Sequence, residues 1–486
     1  MRRAFAVIAC LLALPAASAR AAGGPVDPVV EAQNYAKTTE RQALYDSPQG
    51  QLLLRRVSTQ NGLAAVRAQL ADPERNFADD LCWNGNDGCA GDARLYDWGP
   101  KGYGLVTPVL FTARDGATLS GHVWATRAGP AQRPGVVIVN GSVQADEQMY
   151  WYAAQALAKA GYVVLTFDPQ GQGQSDTLGE APDATEGVPA QSDGRPFFDG
   201  AEDALDFFFS TPEHPYVPES SCSTGTSHAA KQARRVAAGL DAPYNPYWAL
   251  FDGSHVGLAG HSYGAAGVSY VGQWDPRVDA IVAWDNLAQP SPGTNDGSFP
   301  PGEAGCPAHP EDRTPAPITK PALGMSADYF LPPTPNVTVP DPEAKSTESR
   351  AYSAAGVDSG ELVIRGGSHL DFSFISNPAF GATLRGADMI AWYTTAWFDR
   401  YVKGDPAADA RLLTGRWRHD AAEAAVDPNH DGNLFSFYYR SRLAITLADG
   451  TQVDCETMRA GCPQLSDADG FPGEYSYLAL ATSPDR

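Results

Sequence analysis

Between Pro134 and about residue 400 the chain alternates between two periods, and that alternation restricts the fold more than any other feature. Short apolar runs bounded by turn residues recur: GVVIVNG (135–141), GYVVLTFD (161–168), HVGLAG (255–260), VDAIVAWD (278–285), KPALGMS (320–326) and GELVIRG (360–366). The longer stretches EQMYWYAAQALAKA, DGAEDALDFFFS, AAGVSYVGQW and ADMIAWYTTAWFDRYV space their apolar residues three and four apart, as helices do. Runs apolar on both faces and separated by helices predict a mostly parallel central sheet covered on both sides, an α/β fold. Just upstream, LVTPVLFTARDGATLSGHVWA (105–125) alternates about Asp115-Gly116 and predicts a β-hairpin.

The two ends read differently. MRRAFAVIACLLALPAASARA joins two arginines to an apolar run and small-residue pairs, so residues 1–22 are expected to be a secretory signal peptide. The run is too short to span a membrane, and no later one is longer, so the product is expected to be soluble and secreted or periplasmic. Removing Cys10 with the leader leaves six of seven cysteines in an oxidising compartment. Cys82 with Cys89 and Cys455 with Cys462 suggest two local disulfide loops, with Cys222 and Cys306 as the long-range pair. No C-x-x-C is present and the histidines are scattered, so disulfides are preferred to zinc. A formal charge of −22 argues against nucleic acid as a partner.

Residues 23–103 read as a helical N-terminal extension, 104–405 as the main domain with insertions at 177–250 and 287–317, and 406–486 as a C-terminal extension. The insertions follow strands at their carboxyl ends, where α/β folds place ligands, so both are expected over the site. YNPYWALF (244–251) either lines a substrate cleft or packs an insertion onto the core. In the tail, Asp427, Asn429, Asp431 and Gly432 match half of a calcium loop, but its twelfth position is Tyr438. A turn feeding the strand LFSFYYRSRLAITL is preferred there, and no metal site is assigned.

GLAGHSYGAAG (257–267) supplies the candidate chemistry. Ser262 lies between a buried strand and a helix, where a strained turn needs small neighbours two positions away, and Gly260 and Gly264 are small. A serine needs a base, and the base a carboxylate to orient it. Asp328, just past PALGM, is the preferred acid, with Asp285 at the end of the preceding strand as runner-up; Asp371 reads as a solvated loop carboxylate.

With NGS (140–142), DPQGQGQSD (168–176), GHSYG (260–264), SADYF (326–330) and GGSHLDF (366–372), the region of roughly 104–405 resembles the α/β-hydrolase superfamily. Within it the chain is most similar to secreted ester hydrolases of the dienelactone hydrolase, cutinase-like and platelet-activating-factor acetylhydrolase kind. The resemblance implies an α/β-hydrolase fold, no cofactor, and His369, after the last strand of the domain, as base. His261 then points elsewhere in the turn, and His255, His122 and His228 are structural or surface residues. It also implies oxyanion donors at the backbone N–H groups of Tyr263 and Ser142. Here Asn140-Gly141 replaces the usual His-Gly, Gln170 stands where many relatives carry arginine, and Asp168 reads as structural. The expectation is a secreted serine hydrolase cleaving a small-molecule, lipid or polymer ester through Ser262, Asp328 and His369. A serine peptidase of prolyl-oligopeptidase type shares this domain, but only a short extension precedes residue 104. A catalytically silent binding protein is the third reading.

Overall fold

A computed structural model describes Val29, residues 48–76, Trp98, 104–142, 146–184, 187, 195–291, 315–330, 336–374, 384–418 and 432–468. The expected signal peptide, Cys82, Cys89, Cys306 and the calcium-like residues Asp427, Asn429 and Asp431 lie outside the described residues.

The predicted hairpin forms from β1 (Gly104–Thr112) and β2 (Thr118–Thr126), paired antiparallel from Thr112 opposite Thr118. Gly116 takes φ 85° in its turn. Strands β3 (Arg133–Val139), β4 (Val163–Phe167), β5 (Phe251–His261), β6 (Ala280–Trp284), β7 (Ala322–Ala327) and β8 (Ser359–Ile364) fall on the six apolar runs. They lie side by side in the order β4-β3-β5-β6-β7-β8, each pair parallel, with β2 antiparallel against β4.

Successive residues of one strand feed two separate cores, which is why these runs lack polar alternation. Val136 and Ile138 of β3 pack on one side with Trp151 and Leu157 of α2 (Trp151–Lys159), and Val137 and Val139 pack on the other. That second side is covered by α3 (Arg195–Phe209) and α5 (Tyr263–Trp274). Helix α6 (Leu384–Tyr401) joins α2 on the first side through Ile390, Tyr393 and Trp397.

The C-terminal extension continues the same sheet. After β9 (Thr414–Trp417), strand β10 (Arg442–Thr446) runs antiparallel beside β8, and β11 (Gln452–Cys455) beside β10, giving ten strands. The predicted strand 434–447 is thus shorter than the sequence suggests, because 432–441 make isolated bridges and bonds to the end of β8 instead. Cys455 and Cys462 are disulfide-bonded as expected, and Cys222 is disulfide-bonded too. At the other end, α1 (Pro48–Ala71) is followed by Asp72 and Arg75, which form buried ion pairs with Arg235 of α4 (Ala229–Ala237) at 2.6 Å and with Asp176 at 2.7 Å.

The insertion 177–250 does not sit wholly over the carboxyl edge of the sheet. Its helix α3 covers the sheet face, and YNPYWALF lies at the amino end of β5. There Asn245 donates to Phe208 O at 2.8 Å, the Tyr247 hydroxyl meets Thr107 Oγ1 at 2.8 Å, and the Phe251 ring packs tilted against that of Phe208, their centres 4.3 Å apart. Ser262 is at the opposite end of this strand: Phe251 and Gly260 pair with Arg133 and Val139 of β3, which at about 3.3 Å per residue lie roughly 20 Å apart. The aromatic cluster therefore packs the insertion onto the core. Among the described residues no helix is long and apolar enough to cross a membrane.

Candidate active site

Ser262 joins the carboxyl end of β5 to the first turn of α5 with φ 57° and ψ −118°, a conformation that L-residues other than glycine rarely adopt. Its N–H donates to Trp284 O at 2.9 Å, tying the turn to β6. The flanking glycines are steric requirements. A Cβ on Gly260 would stand 2.3 Å from Gly264 O, and one on Gly264 2.3 Å from Asn140 O and 2.5 Å from Val139 O. All these obstacles are backbone, so Gly264→Ala is expected to destabilise the fold by about 1–3 kcal/mol or more and to displace Ser262. A thermal melt of the variant beside its turnover checks this.

The loop after β3 packs directly on this turn, since a Cβ on Gly141 would lie 3.1 Å from Ser262 Cβ and 2.9 Å from His261 Nδ1. Tyr150 holds the two together: its hydroxyl accepts from Gly141 N at 2.8 Å and meets His261 Nδ1 at 2.8 Å. Burial pushes the Tyr150 phenol far above its ordinary value, so it keeps its proton and donates it to His261. Burial first, and then the neighbouring His369, push His261 well below the ordinary histidine value, so it is neutral. His261 is accordingly a structural tie. Because the Gly141 N–H is occupied, the next N–H along this loop is that of Ser142. Tyr263 supplies the first N–H of α5, at the positive end of a 12-residue helix. Asn140, the departure from His-Gly, donates to Asp168 Oδ1 at 2.9 Å, and Asp168 also accepts from Glu147 N at 2.7 Å and Gln174 N at 3.0 Å. Asp168 is structural, as expected.

His369 opens a short turn, His369–Asp371, after β8. Its Nδ1 lies 2.6 Å from Oδ2 of Asp285, the residue following β6. Burial raises the Asp285 carboxyl, but the hydrogen bond and charge of His369, with the charge of Lys345, lower it further, leaving it below the ordinary value and ionised. An ionised partner places the hydrogen on Nδ1 and leaves Nε2 as the basic nitrogen. Among the described residues no hydrogen bond joins Ser262 Oγ to His369, a contact that often tightens only with substrate. His261, the residue before Ser262, has its ring 4.5 Å from that of His369.

Asp328, the preferred acid of the sequence reading, is turned away from His369. Its Oδ2 accepts from Gly366 N at 2.7 Å, its Oδ1 from the Ser436 hydroxyl, and its own N–H donates to Ile364 O at 3.2 Å. The histidine partner is therefore Asp285, the runner-up, while Asp328 braces the loop that carries the histidine. Asp371 is not solvated: it is fully buried and accepts from Ser368 N at 2.6 Å, closing a capping box under the turn.

No protein-family model matches the chain, and no curated protein matches it.

Three of the other described histidines pair with carboxylates. His122 meets Glu147, His228 lies 3.0 Å from Asp183 Oδ2, and His255, more than half exposed, lies 3.6 Å from Asp279. Among the described residues no group of three or more His, Cys, Asp and Glu is arranged to hold a metal ion.

Sequence reasoning passed over Glu361, a buried β8 carboxyl near enough to Asp285 to feel its charge. It accepts from Ser326 Oγ at 2.5 Å, and burial pushes it up to about 8. In the unfolded chain this group ionises near the ordinary carboxylate value, so between there and about pH 8 the folded state holds the extra proton and stability falls as pH rises. Glu361→Gln is expected to flatten that fall by on the order of 1 kcal/mol per pH unit crossed. Denaturant melts of both proteins from pH 5 to 8 check the sign.

Proposed function

We propose that this chain is a secreted serine hydrolase of α/β-hydrolase type that cleaves carboxylic esters through an acyl-enzyme on Ser262. The observation that carries the reading is Ser262 at positive φ between positions 260 and 264 that only glycine can fill, next to His261, whose ring lies 4.5 Å from that of His369, the partner of Asp285. Further support comes from the mostly parallel sheet and from the chain order Ser262, Asp285, His369, which is serine, acid, histidine.

In this mechanism Ser262 Oγ attacks the ester carbonyl carbon while His369 Nε2 takes its proton. Asp285 holds the imidazole in the Nδ1–H tautomer and stabilises the imidazolium. Negative charge on the carbonyl oxygen meets the N–H groups of Tyr263 and Ser142. Collapse breaks the bond to the alcohol oxygen, which receives the proton from His369. Water, deprotonated by the same nitrogen, then releases the acid and restores Ser262.

The test is a screen of purified protein against p-nitrophenyl esters and aminoacyl-p-nitroanilides, with fluorophosphonate labelling in parallel. Ester turnover with labelling supports the proposal. Preferential anilide turnover transfers the site to a peptidase, and neither turnover nor labelling leaves a binding protein on this fold.

A further inference from the structure

Phe330 lies three residues past β7, after Asp328 and Tyr329, both of which are tied down. Tyr329 is buried and its N–H donates to Gly367 O at 3.1 Å. Phe330 instead is 59% exposed, with its ring centre 4.9 Å from that of His369 and the two planes inclined by 50°. Single exposed apolar side chains are ordinary on protein surfaces. This one stands against the imidazole that the proposed reaction uses.

Its position relative to that reaction follows from the proton's path. The imidazole must hand its proton to the departing alcohol oxygen, so that oxygen comes within about 3 Å of His369 Nε2. The carbon bearing it, and the group beyond, then lie on the histidine side of the scissile bond, within reach of a ring about 5 Å from the imidazole centre. The acyl chain leaves the carbonyl carbon in another direction. A phenyl ring offers apolar area and a stacking face but no hydrogen bond, and a chain of net charge −22 repels anionic alcohols.

We infer that Phe330 is the specificity-determining contact for the alcohol half of the substrate, and that the substrates are esters of uncharged aryl or alkyl alcohols. This rests on the ester-hydrolase reading of Ser262, Asp285 and His369. The ring packs against the departing group and holds its oxygen beside the imidazole.

The test compares two series on wild type, Phe330→Ala and Phe330→Leu. In one, acetates carry methyl, butyl, hexyl and benzyl alcohols; in the other, methyl esters carry acyl chains from acetyl to hexanoyl. In Phe330→Ala the ratio of kcat/KM for benzyl over methyl acetate is expected to fall about tenfold, equivalent to about 1.4 kcal/mol. The ratio for methyl hexanoate over methyl acetate should stay at the wild-type value, and Phe330→Leu should recover part of the alkyl preference. An unchanged alcohol ratio overturns the inference, as does an equal loss in both series, which would make Phe330 only a support for His369. Wild-type turnover of neither series, with no fluorophosphonate labelling, overturns the ester-hydrolase reading and this inference with it. Turnover with a flat alcohol series overturns this inference alone.

Discussion

Ser262→Ala is expected to abolish ester turnover, a loss on the order of 10⁶ in rate, and to abolish fluorophosphonate labelling while the fold survives. The hydroxyl is the group the mechanism consumes, whereas the fold uses the backbone of this residue: its N–H on Trp284 O and its carbonyl on Ala266 N. Neither bond involves Oγ, so alanine leaves both intact. Alanine also keeps a Cβ at φ 57°, so the strain remains. Ser262→Gly removes that strain, of order 1–3 kcal/mol, and is expected to melt higher than Ser262→Ala while being equally inactive. Intact-mass analysis after labelling, with thermal melts of the three proteins, separates the effects. Labelling that persists in Ser262→Ala would move the nucleophile elsewhere.

The second large effect is expected at Asp285. Asp285→Asn preserves shape but replaces an ionised acceptor by an amide that favours the wrong imidazole tautomer and cannot stabilise the imidazolium. The expected loss is about 10⁴ in kcat. Asp328→Asn should lower the melting temperature, because that carboxylate accepts from Gly366 N and the Ser436 hydroxyl, but should cost far less activity. Initial rates on p-nitrophenyl acetate, paired with melts, decide between the two. A larger loss at Asp328 would return it to the acid's role.

The sheet was legible because both faces of its strands are buried, which makes each strand a continuous apolar run ended by Gly, Asp or Asn. The turn around Ser262 was legible because its glycines are demanded by backbone contacts within a few residues. The choice between Asp285 and Asp328 was not. Both stand at the carboxyl ends of neighbouring parallel strands, whose Trp284 and Met325 are paired in register. Which carboxylate faces the histidine depends on φ 44° at Asp285 and on a hydroxyl that arrives from Ser436. Left-handed conformation at an Asp carries only a weak sequence signal, and a contact spanning 108 residues carries none. The aromatic cluster 244–251 was undecided because composition does not tell which end of a strand a segment precedes.

The bonds that 432–446 make to the end of β8 also set an order of events in the life of the chain. Arg365 N donates to Leu434 O, Ser436 N to Val363 O, and β10 pairs with β8 from Arg442 opposite Glu361. The loop bearing His369 is thus held by residues that leave the ribosome some 65 positions after it, at about 5–20 residues per second. A nascent chain that already contains Ser262, Asp285 and His369 still lacks the brace that fixes the histidine. Under the proposed mechanism, hydrolytic competence arrives only after the residues that carry this brace have been made, well after Ser262, Asp285 and His369 themselves.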